Sequence, residues 1–468
     1  MYRHCTIPSG IKSYIKQFLA SVLLPENRGT FLAHPESDFT RNRKISLEDL
    51  VFHLFSRSSG SLTHNLQIDF GLGSGRPTKS ALVQQQAKLK ESFFRYLFDS
   101  INARFHRDFL YKGRYRLLAC DGSELAVGDK GSETLHAEGV GRTGGKDYHS
   151  VHINALYDIL SEAFVDCIIE KGSNYDESEA CWRMMERLRS KSIIICDRGY
   201  EGYNLFAHMM HAGQLFLIRV KDPSSTGMAG HWWRALNGPD GEGEVLVDTR
   251  LTRVQSKAVK DSSEFHCLPP TAPFDFLPGR SPFRRGRKGI LPEDIPPEHC
   301  HRISFRLVRF RINPPGSENE FETVATNLPA DEFPAEELKR LYHLRWRQET
   351  SYRELKYDEL LLKLHSVKVD SVIKEIYVAL TLHNITSFLL SFVGKRISRG
   401  KDGKDRIYEA SHSDATDAVK LFLGRNNRCG PKELMQELAR NMEPVRDDRS
   451  FPRLLTHKGF VAFTYRAA

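Results

Sequence analysis

At 468 residues the chain is too long for one compact core, so two to four structural units are expected. Its 40% hydrophobic and 27% charged residues are ordinary for a globular protein. No apolar run is long enough to span a membrane, and no apolar stretch with a cleavage site opens the chain. A cytoplasmic protein is expected. Lys and Arg total 68 against 59 acids, a formal charge of +9, which favours polyanionic partners. The eight cysteines include no C-x-x-C pair, which indicates neither a zinc knuckle nor a redox pair. Cys120 and Cys196 each precede an Asp at the end of an apolar run and read as buried strand residues.

Residues 1–110 read as a helical N-terminal domain. GIKSYIKQFLASVL and SLEDLVFHLFSR carry apolar residues at helical spacing, with Ser46 as a candidate N-cap. After the break GLGSGRP, one long helix is predicted over TKSALVQQQAKLKESFFRYLFDSINARF. GLGSGRPTKS is no phosphate loop, because Thr78 stands where Gly is needed and no strand leads into it.

From 111 to 222 the pattern changes. YRLLACDGSELAV, HSVHINALYDIL and EAFVDCIIEKG predict three strands. A helix (DESEACWRMMERLRSK), a strand (SIIICDRGY), a helix (YNLFAHMMHA) and a strand (QLFLIRVKD) follow. Three sequential strands suit an antiparallel meander, and helical crossovers suit parallel pairing. Residues 223–325 read as a β-rich insertion with loops around 268–298. A long helix is predicted from near Pro334 over PAEELKRLYHLRWRQETSYRELKYDELLLKL, and a more apolar one over about 368–393. Residues 396–468 form a basic C-terminal region, a candidate for oligomerisation.

Two aspartates stand where strands end, Asp121 in LLACDGSEL and Asp197 in SIIICDRGY. A carboxylate at a strand end can be aimed rigidly at a metal; either residue alone would read rather as a turn former. On the long helix Tyr342, Arg345, Glu349 and Lys356 fall within a stripe roughly 60° wide. Leu341, Leu344, Tyr352, Leu355 and Leu362 form the adjacent apolar stripe. An Arg345–Glu349 pair alone would read as an i,i+4 salt bridge.

Tyr-x2-Arg-x3-Glu-x6-Lys resembles the Y-R-E-K signature of the DDE transposases of bacterial insertion sequences, family four. LLACDGSEL is similar to that family's first-Asp segment, and ICDRGYEGYNLF to its second. TNLP, RWRQE and PTKSALVQQQAKL also look like family usage. The resemblance covers roughly 76–395. It implies a ribonuclease H-like α/β fold: a mixed sheet with flanking helices, interrupted by the β-rich insertion, with core parts at 111–222 and 326–395.

The resemblance further implies that Asp121, Asp197 and Glu349 are the catalytic, metal-binding residues. They would hold two Mg²⁺ ions, with Mn²⁺ as a substitute. Tyr342, Arg345 and Lys356 would contact DNA. Arg198 and Tyr200 are further DNA-contact candidates, with packing of the turn as the equal alternative. Expected partners are the transposon's terminal inverted repeats, target DNA and a second copy of the chain in a synaptic complex. The rival readings are a catalytically inactive DNA-binding descendant and a metal-dependent nuclease without joining activity. Trp232, Trp233 and Trp346 are weaker candidates for base stacking, and RSPFRRGRKG at 280–289 for the phosphate backbone. The His149/His152 and His208/His211 pairs lack companion ligands and read as structural or surface residues.

Overall fold

The computed structural model describes residues 6–444 except 129–134, 138–147, 172–174, 280–288, 318–319, 360, 395, 400–404 and 427. The basic run at 280–289 lies outside the described residues but for its last glycine, and so does the C-terminal region beyond 444.

Six helices open the chain: α1 (Thr6–Val22), α2 (Pro25–Phe31), α3 (Leu47–Phe55), α4 (Leu62–Phe70), α5 (Lys79–Ala87) and α6 (Glu91–Phe105). Ser46 caps α3 as its sequence suggests: its hydroxyl accepts the Asp49 amide, and the Asp49 carboxylate accepts the Ser46 amide. The single long helix expected after the glycine break is instead two, α5 and α6. The backbone at the break bonds elsewhere, Ala33 N to Lys88 O at 2.8 Å and Lys90 N to Phe31 O at 2.9 Å. Leu89 there is fully buried, so a tertiary contact overrides helix propensity.

Next come β1 (Arg116–Val127), β2 (Leu135–Ala137), β3 (Tyr148–Asp158), β4 (Ala163–Glu170), α7 (Glu177–Met185), β5 (Ser192–Cys196), α8 (Tyr203–His211) and β6 (Leu215–Val220). β1, β3 and β4 pair antiparallel in sequence, as the expected meander. β5 then lies parallel to β1, and β6 parallel to β5, each reached through a helix. The order β4-β3-β1-β5-β6 is the ribonuclease H-like core.

The β-rich stretch holds α9 (Met228–Ala235), β7 (Gly243–Thr252), α10 (Lys257–Lys260), β8 (Phe265–Cys267), β9 (Cys300–Arg311) and β10 (Phe321–Thr326). It continues the same sheet: β10 pairs antiparallel with β6, and β9, β7 and β8 follow outward.

α11 (Ala335–His343), α12 (Trp346–Tyr357), α13 (Val369–Leu390), β11 (Arg396–Arg399), β12 (Asp405–Ala410), α14 (His412–Leu423), α15 (Pro431–Arg440) and β13 (Met442–Pro444) complete the described chain. β11, β12 and β13 form a small separate sheet.

Strand alternation sends Leu118, Cys120, Ile194 and Cys196 to the face covered by α7 and α8. Leu117, Ala119, Ile193 and Ile195 face the other side. There they join one apolar cluster with Tyr352 and Leu355 of α12, Ile376 of α13 and Phe93 and Phe98 of α6. The N-terminal helices therefore share their core with the sheet. Cys120, Cys181 and Cys196 are buried together as free thiols.

Candidate active site

The parallel pairing of β1 with β5 puts Cys120 opposite Cys196. The next residues, Asp121 and Asp197, therefore stand side by side, about 4.8 Å apart in backbone spacing; β5 ends just before Asp197, but β1 runs on to Val127, so Asp121 lies within its strand and not at the strand end that the sequence suggests. Each carboxylate is held by a nearby glycine amide. Gly122 N donates to Asp121 Oδ1 at 2.9 Å, and Gly199 N to Asp197 Oδ1 at 2.7 Å. Burial pushes the Asp121 carboxyl up to about 7; Arg345 opposes the rise and the charge of Asp197 adds to it.

α12 lies across this edge. Tyr352 donates its hydroxyl to the Asp121 carbonyl at 2.7 Å, and the buried Gln348 donates to the Ala155 carbonyl at 3.0 Å. Glu349 is thereby turned toward the aspartates. The guanidinium of Arg345 stands between the carboxylates, 2.7 Å from Glu349 Oε1 and 3.9 Å from Asp121 Oδ2. Asp121 and Glu349 thus converge on one cation, with Asp197 beside them. The three do not form a cluster with all ligand atoms within 4.8 Å of one another. Among the described residues the clusters meeting that spacing are Glu354–His383–His412 and His106–Asp108–Asp158.

The long helix expected from Pro334 is interrupted. α11 ends at His343 and α12 starts at Trp346. Leu344, Arg345, Arg347 and Gln348 donate their amides to carbonyls three residues back, a locally tighter winding. Tyr342 and Arg345 are both drawn inward by it, to 5% and 6% exposure. Among the described residues the Tyr342 hydroxyl has no hydrogen-bond partner and neither has Arg345 Nε. Burial raises the Tyr342 phenol to about 12. Lys356 donates to Ser123 Oγ at 2.7 Å, which ties the end of α12 to β1.

Arg198 lines an open groove with Asp197, Glu201, Tyr203 and Lys221. Tyr200 does not face that groove. It is 1% exposed, in the core beneath the turn with Cys120 Sγ 3.9 Å from its hydroxyl, so the expected DNA contact gives way to packing. Trp232 and Trp233 are also buried, their indole N–H groups donating to Tyr203 Oη and Pro239 O. Trp346 is 49% exposed beside Arg345.

One neighbour, Glu177, escaped the sequence reading, and a second, His152, read there as a structural or surface residue, stands beside it. Glu177, at the start of α7, meets His152 of β3 at 3.0 Å. Both stand over Gly122, where an added Cβ would come within 2.3 Å of Glu177 Oε1 and 2.5 Å of His152 Nε2. A side chain at position 122 would have to push this pair aside. No periodicity connects Glu177 with Asp121, because they meet through the fold of the sheet.

No curated protein matches the chain. Among solved structures, the piggyBac transposase synaptic complex with hairpin DNA, determined by cryo-electron microscopy, aligns with a TM-score of 0.43 and 8% identity. The alignment covers 86% of this chain and 75% of that one. The family model described as the transposase DDE domain matches residues 112–385, from just before β1 to near the end of α13. That is more than half of the sequence, and the chain belongs to the family of transposases with a DDE domain.

Proposed function

We propose that the chain cuts DNA at the ends of a transposable element and joins them to target DNA, with Asp121, Asp197 and Glu349 as its catalytic carboxylates. The observation that carries this reading is the arrangement of the three: two aspartates on neighbouring parallel strands, and a glutamate of α12 that shares the Arg345 guanidinium with Asp121. Tyr342, Arg345 and Lys356 complete with Glu349 the Y-R-E-K spacing of family-four type.

The donor set fits a pair of hard divalent cations such as Mg²⁺, with Mn²⁺ as a substitute. The fit rests on the donor set, three carboxylates with hard oxygen donors, of which Asp121 is desolvated beside the charge of Asp197. A cation relieves that repulsion. Such ions would supply a nucleophilic water at neutral pH and stabilise charge on the leaving oxygen.

The protein side chains have distinct tasks. Asp121, Asp197 and Glu349 hold the ions. Arg345 neutralises Asp121 and Glu349 in the absence of ligand, and its Nε, without a partner, offers a donor to a phosphate oxygen. The Tyr342 hydroxyl offers a second. Lys356, Arg198 and Lys221 place positive charge along the approach, and Trp346 gives an exposed ring for a displaced base. DNA ends are handled in pairs, so the working form is at least a dimer on DNA.

The test is cleavage and strand transfer on paired end sequences taken from the DNA flanking the gene. Glu349→Ala is expected to abolish both reactions and leave end binding within about twofold. Cleavage that survives Glu349→Ala would overturn the assignment. Cleavage without joining would reduce it to a nuclease.

A further inference from the structure

On the far side of α12 four ligand-type side chains from four places in the chain meet. They are Glu354 of α12, Glu359 just after it, His383 of α13 and His412 of α14. His383 Nδ1 is 3.5 Å from Glu359 Oε1. His412 Nδ1 is 4.0 Å from both Glu354 Oε2 and Glu359 Oε1. One ligand atom each from Glu354, His383 and His412 lies within 4.8 Å of the others. Donors around a tetrahedral zinc stand about 3.3 Å apart, from bonds of about 2.0–2.1 Å. The cluster is slightly wider than that and would contract onto an ion.

We propose that Glu354, Glu359, His383 and His412 form a structural site for a transition-metal dication of the zinc class, separate from the nuclease site.

The independent sign of a ligand is Glu359 Oε2, which is fully buried and has no hydrogen-bond partner among the described residues. His383 is also fully buried, with its ring against the Glu162 backbone and Nδ1 facing Glu359. An orphaned buried polar group is costly, and a metal bond satisfies it. Charge points the same way. Among the described residues, the close neighbours that the carboxylates of Glu354 and Glu359 have are His383, His412 and the Thr416 hydroxyl, with no Lys or Arg paired to either. Lys420 nearby is engaged by the Asp358 carbonyl at 2.6 Å and by Asp417 at 3.4 Å. Two carboxylates and two neutral imidazoles balance one dication. Two imidazole donors favour zinc over Mg²⁺ or Ca²⁺.

Glu354 lies five residues beyond Glu349, about 7.5 Å along the helix and about 140° around it. An ion there would tie the back of α12 to α13 and α14 while the front presents Glu349. It is a staple for the catalytic helix, with no part in the chemistry.

The experiment uses the full chain carrying Asp121→Asn, Asp197→Asn and Glu349→Gln, so that zinc in the nuclease site is not counted. After dialysis against excess Mg²⁺, elemental analysis is expected to give close to one zinc per chain. Cobalt in its place should show the intense visible bands of a tetrahedral site. Adding His412→Gln or Glu354→Gln should weaken zinc binding at least tenfold, and added zinc should raise the melting temperature of the parent chain but not of these variants. If the extra substitutions prevent folding, melting of the parent with zinc and with a chelator decides alone. A parent that retains no zinc and melts identically with and without it overturns the proposal.

Discussion

Asp121 carries a cost that a bound cation removes. Its carboxyl is raised to about 7 in the fold by burial, and by Asp197 against the opposing pull of Arg345; an unfolded carboxyl titrates at about 3.9. Between these values the native state binds a proton that the unfolded state has lost, so this group's contribution to stability falls as pH rises from about 4 to about 7. Asp121→Asn removes the penalty. In metal-free protein it should raise the melting temperature by a few degrees at pH 8 and by about a third as much at pH 5; equal shifts at the two pH values would contradict the assignment. Arg345 acts on the same group in the opposite sense. Arg345→Ala should move the acid limb of the pH profile of cleavage to higher pH as well as slow the reaction, whereas a purely structural role for Arg345 would leave that limb in place.

At the scale of elements, the site depends on how α12 docks on β1. The Tyr352 hydroxyl anchors it to the Asp121 carbonyl at 2.7 Å. Tyr352→Phe should cost about 1 kcal/mol, read as a lower denaturation midpoint with an unchanged slope. An unchanged midpoint would mean that packing alone holds the helix. The aspartates were legible in the sequence because each ends an apolar run, and parallel strands bring such ends together. The apolar stripe of α12 was legible too, since Tyr352 and Leu355 are buried as the spacing predicts. The interruption at Leu344 and Arg345 was not. RLYHLRWRQE contains neither glycine nor proline, and the tighter winding follows from burying Tyr342 and Arg345 together. The break between α5 and α6 has the same kind of cause, with Leu89 buried against Leu32.

For the whole molecule, a single sheet runs from the meander through the β-rich stretch, and the N-terminal helices close one of its faces. Phe98 of α6 packs against Tyr377 of α13 with ring centroids 6.2 Å apart. Asn102 donates to the Phe164 carbonyl of β4 at 3.0 Å. Removing residues 1–110 would expose this face, so the truncated chain should be insoluble or lose its near-ultraviolet circular dichroism. A soluble, well-packed fragment would show that the helices are an independent domain. Chain order and periodicity show where helices and strands fall, but not that α6 and α13 share a core. The Glu354–Glu359–His383–His412 cluster was equally hidden, because its members share no spacing and meet only when α12, α13 and α14 pack.

The central claim is that Asp121, Asp197 and Glu349 hold cations in common. The most direct measurement is an anomalous difference map from crystals of the full chain grown with Mn²⁺. The account predicts manganese peaks contacted by all three carboxylates, with Arg345 displaced from between Asp121 and Glu349. Manganese found only elsewhere, with the Arg345 ion pairs intact at saturating metal, would contradict it.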